Sequence, residues 1–208
     1  MTAETVFIVD DDASICEGLS NLLDSVGIRT EQFASAEAFW ENWNDARAGC
    51  MLLDARLPGA SGVEFQEQLR NLGIGLPIIF MTAHGDVPMV RKVMKAGAIE
   101  FLTKPFQKQE LLHAVEQAFE RDRSRRREDS IVSAINTRVR SLTDREREVM
   151  AMVTAGLLNK QIAAELNLSE ITVKIHRRRV MEGMQAGSLA ELVKMCERVH
   201  FPSWSPPS

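Results

Sequence analysis

The sequence lacks any long apolar run. Among its 208 residues no stretch of about 18 or more apolar side chains occurs, so we expect no membrane-spanning helix. The first residues do not show the basic and then apolar pattern of a signal peptide. We therefore expect a cytoplasmic protein that makes no membrane contact.

Cysteine is scarce as well. Cys16, Cys50 and Cys196 are odd in number and far apart, and no CxxC motif or Cys/His pair with metal-ligand spacing is present. The pattern excludes a disulfide framework and is simplest to interpret as reduced, structural thiols.

Neither glycine nor proline occurs between Phe106 and Ala155. The stretch has a buried face early on and then becomes polar all round through an Arg-rich segment, residues 121–127. We predict one helix from near Lys108 to roughly Asn136, about 40 Å long at ~1.5 Å per residue. A flexible linker is the alternative, because the arginines have no partner visible in the sequence.

Charge is unevenly distributed along the chain. Residues 1–122 hold 10 Lys and Arg against 19 Asp and Glu, whereas residues 123–208 hold 15 against 10. An acidic front half and a basic back half suggest a metal-binding domain joined to an anion-binding one.

The front half alternates strands and helices. Five short apolar or mixed runs, each followed by a helical pattern, are predicted as strands: Val6–Val9, Arg29–Phe33, Cys50–Leu53, Pro77–Ala83 and Ile99–Thr103. Strands that alternate with helices predict an α/β fold, a doubly wound parallel sheet with right-handed crossovers.

Acidic residues follow two of these strands. Asp54 ends the third strand, and Asp10, Asp11 and Asp12 follow the first. Alone, Asp54 would most simply end a strand or open a turn, but the carboxyl ends of parallel strands share one edge, where ligands bind. Clustered carboxylates need a cation, and a hard divalent ion such as Mg²⁺, or Mn²⁺, fits them. Asp54 could then attack a phosphoryl donor.

Two further residues end strands at the same predicted edge. Lys104 follows the fifth strand and could balance the charge of a transferring phosphoryl group, although a solvated turn lysine is an equal alternative. Thr82 ends the fourth strand and could donate to a phosphoryl oxygen, or it could serve only as a β-forming residue.

The back half is predicted to be all-α, with four short helices. Asn159–Leu166 and Glu170–Gly183, joined by a tight turn, form a helix-turn-helix unit. The second of these helices carries four cations, and we expect its apolar residues to pack inward; these are Ile171, Val173, Val180 and Met184. A positive, slender helix suits a DNA major groove, but a solvated basic face is the alternative.

Four motifs of the front half, in their order and spacing, resemble the receiver domain of bacterial two-component response regulators; they are Val9–Asp12, Leu52–Gly62, Phe80–His84 and Phe101–Phe106. The resemblance covers about residues 4–122. It implies a flavodoxin-like sheet of strand order 2-1-3-4-5.

The resemblance also implies roles for the acidic residues. Asp54 would accept a phosphoryl group from a sensor histidine kinase. Asp10, Asp11 and Asp54, with the backbone carbonyl of Arg56, would hold Mg²⁺. Only slow self-dephosphorylation, and no enzyme activity on other substrates, is implied.

Three more roles follow from the same resemblance. Lys104 would pair with the phosphate, Thr82 would close onto it, and Phe101 would be the aromatic side chain that swings inward. The Lys104–Pro105 peptide would be cis.

The back half resembles the LuxR family through three motifs, residues 142–149, 159–166 and 169–176. Together the halves are similar to the FixJ/NarL subfamily and, more narrowly, to regulators of styrene catabolism, although these motifs do not encode the regulated pathway. By resemblance Lys174, Ile175 and Arg178 face base edges. Candidate phosphate contacts are Asn159, Lys160 and Thr172, and Arg177 and Arg179 add positive charge to the same helix. Gly183-Met184 replaces the family's usual Lys-Leu, which leaves the last turn of that helix in question.

We therefore expect a receiver at 1–122, a helical linker at 123–140 and a DNA-binding domain at 141–208. Phosphorylation would favour a homodimer that binds promoter DNA and regulates transcription by RNA polymerase. We expect this regulation to be activation. One alternative is a constitutive DNA binder whose receiver only dimerises. Another is a phosphohydrolase with an aspartyl nucleophile, but Arg56 stands where its second acid would be needed.

Overall fold

The computed structural model describes residues 4–44, 47–58, 61–83 and 87–204. The chain divides into two units, Met1–Arg126 and Arg127–Ser208. The predicted limits of receiver, linker and DNA-binding domain stay predictions.

The first unit is built on a parallel sheet of five strands in the order β2-β1-β3-β4-β5. The strands are β1 Thr5–Val9, β2 Arg29–Phe33, β3 Gly49–Asp54, β4 Ile78–Thr82 and β5 Glu100–Thr103. All four pairings are parallel, and Val9 lies opposite Leu53. The predicted fold class and strand order are confirmed.

The helices of this unit return the chain between strands; they are α1 Ala13–Asp24, α2 Ala36–Asn42, α3 Gly62–Asn71, α4 Val87–Lys95 and the start of α5, Lys108–Ser141. The side chains of Asp12, Ser35 and Ser61 cap the first three helices at their N-termini. Such caps accept the N–H groups that the first turn leaves free, which is why each helix begins where it does.

Apolar side chains cover both faces of the sheet. Phe7, Leu53 and Phe80 point into one core with Phe39 and Phe65. The alternate residues of the same strands enter a second core with Leu23 and Val115, and these include Ile8, Leu52 and Ile79. Two buried faces explain why the strands read as continuous apolar runs.

The second unit contains the end of α5 and the helices α6 Asp144–Thr154, α7 Asn159–Glu165, α8 Glu170–Met184 and α9 Leu189–Arg198. Thr143 and Glu146 form a capping box at the start of α6. Asn167, in the left-handed region at φ 52°, makes the turn between α7 and α8. The helices pack around Val149, Met150 and Ile162.

Two expectations for α5 change. The helix continues to Ser141, five residues past the predicted end at Asn136. The Arg-rich segment also has partners, since Arg125 and Arg126 donate to Asp122, which is completely buried. These contacts join residues within two turns of one helix face, and they give the arginines a structural role.

The sequence predicts neither a membrane-spanning helix nor disulfide bonds. In the described part of the chain no helix combines the length and the apolar character that crossing a bilayer requires. All three cysteines are free and buried, and burial raises the pKa of Cys196 to about 11. The sequence predicts a frayed tail over residues 201–208, and of these residues 205–208 lie outside the described residues.

Candidate functional site

Asp54 stands where β3 ends. The following residue, Ala55, donates its N–H to the carbonyl of Met81 on β4 at 2.9 Å. Ala55 also accepts the N–H of Gly62, the first residue of α3, at 3.1 Å. A Cβ on Gly62 would lie 2.3 Å from the carbonyl oxygen of Asp54, so only glycine lets α3 begin this close to the strand.

Three carboxylates meet at this sheet edge. One oxygen each from Asp10, Asp11 and Asp54 lies within 4.8 Å of the other two. Asp10 is buried, Asp54 is partly buried and Asp11 is exposed. Asp12 turns away: its side chain caps α1, and its N–H donates to Oδ1 of Asp10 at 3.0 Å.

Lys104 reaches into the same cluster from the end of β5. Its Nζ donates to Oδ2 of Asp10 at 2.6 Å and lies 3.5 Å from Oδ1 of Asp54. The lysine side chain is 16% exposed, and its peptide bond to Pro105 is cis, as the resemblance implied. Lys104 is therefore paired more tightly with Asp10 than with Asp54, a difference that spacing could not reveal.

The environment of Asp54 perturbs its acidity. Burial raises the pKa of Asp54 above its usual value, the neighbouring Lys104 opposes that rise, and the negative charge of Asp10 adds to it. Burial disfavours the ionised form, and so does a neighbouring anion, whereas a cation favours it. The charge of this cluster is thus only partly balanced by the lysine.

The donor set fits a hard divalent cation. Each carboxylate oxygen has two lone pairs. Oδ1 of Asp10 accepts from the Asp12 N–H and Oδ2 accepts from Lys104, so among the described residues each oxygen keeps a lone pair for a metal ion. Three closely spaced carboxylates that share one lysine retain net negative charge. Oxygen ligands of this kind are those that Mg²⁺ and Mn²⁺ prefer.

The remaining predicted residues of this site surround the cluster. Thr82 is buried at the end of β4, beside Thr103 of β5. Phe101 is half-buried and packs against the core that contains Phe80. Arg56 lies two residues after Asp54, with an exposed side chain and a backbone bridge to Ser61.

The predicted DNA-binding residues lie on α7 and α8. Lys174, Ile175, Arg178 and Arg179 are exposed on α8, and Lys160 is exposed on α7. Exposure of this kind is what binding to another molecule requires.

The other three predicted residues, Asn159, Thr172 and Arg177, make hydrogen bonds within the protein. Arg177 donates to Oδ1 of Asn159 at 2.9 Å, which ties α8 to α7. The hydroxyl of Thr172 lies 2.8 Å from that of Ser169, the residue that caps α8. Arg178, although 81% exposed, makes an ion pair with Glu182 one turn later at 2.7 Å.

One expectation for α8 is wrong. Val173, Val180 and Met184 are buried as predicted, but Ile171 is exposed. Its position on the helix, two residues before Val173, turns it away from the core. The helical phase carried this information, whereas the apolar character of the residue did not.

Two known protein families match this chain. A family model of the response regulator receiver domain matches residues 6–116, and one of the bacterial regulatory proteins of the luxR family matches residues 140–196. Nodulation protein W of Bradyrhizobium diazoefficiens is 48% identical over 94% of this chain and 86% of that protein. The transcriptional regulatory protein FixJ of the same organism is 39% identical over 93% of this chain and 94% of its own length.

Solved structures give the same result. The low-resolution structure of the response regulator StyR matches 95% of this chain and 100% of its own, with a TM-score of 0.83 and 48% sequence identity. At this coverage the match includes residues of both units.

Proposed function

Because the chain belongs to the response regulators that join a receiver domain to a LuxR-type DNA-binding domain, we propose that phosphoryl transfer to Asp54 controls its binding to promoter DNA. Two-component regulation of transcription is the work of this family, whose members are regulators rather than typical enzymes. The phosphorylated residue, the metal ion, the dimer and the target genes are the parts that we propose.

The single observation that carries the proposal is the carboxylate cluster with its lysine. Asp54 has the only partly buried carboxylate of the three, so a donor can approach its oxygen while Asp10 stays enclosed. The oxygen would attack the phosphorus of a phosphohistidine on a sensor histidine kinase, and the histidine nitrogen would leave with the electron pair. Lys104, 3.5 Å from Asp54, would then compensate the charge on the transferred oxygens.

Asp10, Asp11, Asp54 and the carbonyl of Arg56 would hold Mg²⁺ or Mn²⁺. Such an ion, when bound, supplies positive charge to the phosphoryl oxygens. The chain itself provides the orientation, because β1 and β3 end side by side and α3 begins within hydrogen-bonding distance of Ala55.

Thr82 and Phe101 would carry the signal. Thr82 would donate its hydroxyl to the phosphoryl group, and the space it vacates would admit Phe101, which is half-buried on the neighbouring strand. The surface of α4 and β5 would change as a result, and two receivers would pair through it. A phosphorylated homodimer would present two copies of α8 to a two-fold site.

On the DNA side, α8 would enter the major groove. Lys174, Ile175 and Arg178 would face base edges, with Arg179 adding charge. Asn159, Lys160 and Thr172 would contact phosphates, and Arg177 would position Asn159 through their hydrogen bond. Arg178 would leave Glu182 and bind a base or a phosphate instead. Breaking this ion pair costs little free energy, because both side chains are largely exposed.

The target promoters are a separate proposal. The 48% identity to StyR over nearly the whole chain supports genes of styrene catabolism, with activation through RNA polymerase. The DNA-binding residues alone do not select that pathway.

The test compares the wild-type chain with Asp54→Asn, each incubated with Mg²⁺ and acetyl phosphate. We expect the wild type to gain mass equal to one phosphoryl group, to dimerise and to protect promoter DNA in footprinting at lower protein concentration. Asp54→Asn should do none of these. Asp24→Asn, a change at an exposed aspartate at the end of α1, is the matched control and should behave as wild type.

A second result would contradict the switch. If Asp54→Asn bound promoter DNA and dimerised as the phosphorylated wild type does, the receiver would be a constitutive dimerisation module. Turnover of a phosphate ester by the wild type would instead favour a phosphohydrolase.

A further inference from the structure

Two isoleucines on α8 are exposed side by side. Ile171 is 72% exposed, more than any other large apolar side chain in the described residues, and Ile175 is 48% exposed. Residues four positions apart are neighbours on a helix surface. Single exposed apolar residues are ordinary, but a β-branched pair on one turn of a helix indicates a surface used for binding.

The pair belongs to a stripe that also holds two cations. Ile171, Lys174, Ile175 and Arg178 follow the spacing i, i+3, i+4, i+7, which places them on one face of a helix. The buried residues of α8, among them Val173, lie about 180° away around the axis. The stripe is therefore the face of α8 that the core leaves free.

The mixture of charge and apolar surface selects the binding partner. The cations are interleaved with the isoleucines, whereas in most protein interfaces charged residues stand at the rim. The DNA major groove is complementary to this face. Phosphates border the groove and can pair with the cations, and the thymine methyl group is an apolar feature of the base edges that isoleucine can contact. Ile171 lies in the first turn of α8, and in helix-turn-helix proteins the N-terminal residues of the recognition helix contact bases.

The spacing of the pair sets the spacing of the bases. Four residues advance about 6 Å along a helix axis, and successive base pairs are about 3.4 Å apart. We propose that Ile171 and Ile175 contact the methyl groups of thymines in the major groove, so that the preferred site holds thymines about two base-pair steps apart. This inference rests on the proposed binding of DNA by α8 and adds Ile171 as a specificity-determining residue.

The test uses full-length protein treated with Mg²⁺ and acetyl phosphate. A binding site is first selected from a random DNA library, and each of its thymines is then replaced singly by deoxyuridine. Deoxyuridine keeps base pairing and loses only the methyl group. We expect replacement at two thymines of a half-site, about two base-pair steps apart, to weaken binding by the wild type about fourfold each, the equivalent of one methyl group removed from a buried contact.

Two variants assign each methyl group to its side chain. Ile171→Ser should lose the sensitivity at one thymine and Ile175→Ser at the other, while both keep the wild-type unfolding temperature because the side chains are exposed. Leu189→Ser, at a leucine that is 42% exposed on α9, is the control and should keep both sensitivities.

The outcomes separate this inference from the proposed function. Binding to selected DNA without any loss on deoxyuridine replacement would overturn the isoleucine proposal alone. The same holds for a loss that persists in both variants or disappears in Leu189→Ser. Failure of the wild type to select any DNA would overturn the proposed function and the inference together.

Discussion

Replacing Lys104 by methionine tests the electrostatic balance of the acidic cluster. Methionine keeps most of the side chain and removes the charge that lies 2.6 Å from Asp10 and 3.5 Å from Asp54. The Asp10 side chain is 1% exposed, so its charge would be left nearly buried without a cation.

The magnitude follows from the burial of the pair. Removing one partner of a buried ion pair costs about 3–5 kcal/mol of unfolding free energy. The lysine side chain is 16% exposed, and Asp10 keeps the N–H of Asp12, so we expect the lower end, about 3 kcal/mol. For a unit of this size that is a fall of roughly 10 °C in unfolding temperature.

Mg²⁺ should reverse most of this loss. An ion bound only to the folded state stabilises it by about 2.7 kcal/mol at one hundred times its dissociation constant. The variant should gain more than the wild type does, because in the wild type Lys104 competes with the ion for Asp10.

The assay is thermal unfolding with EDTA and with MgCl₂. Lys108→Met, at an exposed lysine at the start of α5, is the matched control and should unfold as wild type in both. If Lys104→Met lost no more stability in EDTA than this control, the buried charge would not need the lysine. If Mg²⁺ stabilised both proteins equally, the ion and the lysine would not share Asp10.

Three further predictions concern other parts of the chain. Gly62→Ala should lower the unfolding free energy by about 1–3 kcal/mol, because the added Cβ would meet the carbonyl oxygen of Asp54. Gly18→Ala in α1 is the control and should be neutral or stabilising, because the space at that position is open. Urea unfolding measures both variants. Asp122→Asn should cost about 2–3 kcal/mol, since the buried carboxylate accepts from Gly49, Arg125 and Arg126; an effect no larger than that of the exposed-site change Asp24→Asn would contradict this. Hydrogen bonds from Thr143 lower the pKa of Glu146 in the folded state, so its contribution to stability is present above the unfolded pKa and is lost as the pH falls through the folded pKa. Glu146→Gln keeps an acceptor for the capping box but removes the titrating group, so it should flatten the acid side of the stability curve. An unchanged slope in unfolding scans from pH 6 to pH 3 would refute the lowered pKa of Glu146.

The sheet could be predicted because local patterns determine it. Its central strands are buried on both faces, so they are continuous apolar runs, and the capping residues Ser61 and Thr143 mark helix starts within one residue. The end of α5 could not be predicted in the same way. No breaker stands between Asn136 and Ser141, and the helix ends only where the next capping box begins.

The acidic site was predictable as a set of residues but not as a geometry. Strand ends place Asp10 and Asp54 at one edge, since β1 and β3 are neighbours. Lys104 pairs more closely with Asp10 than with Asp54. This preference could not be predicted, because Lys104 and Asp10 are 94 positions apart in the sequence. The contact of Gly49 with Asp122 spans 73 positions and has no local signal at all.

The error at Ile171 shows what distinguishes a core residue from a contact residue on a basic helix. The apolar positions of α8 fall into two groups about half a turn apart, one with Val173, Val180 and Met184 and the other with Ile171 and Ile175. A helix has one core face when it packs on a single layer, so two opposed apolar groups imply two partners. The group that shares its face with Lys174 and Arg178 is the one that must meet a partner of opposite charge. Helical phase therefore places Ile171 outside the core, and the cations that share its face favour the proposed contact with DNA.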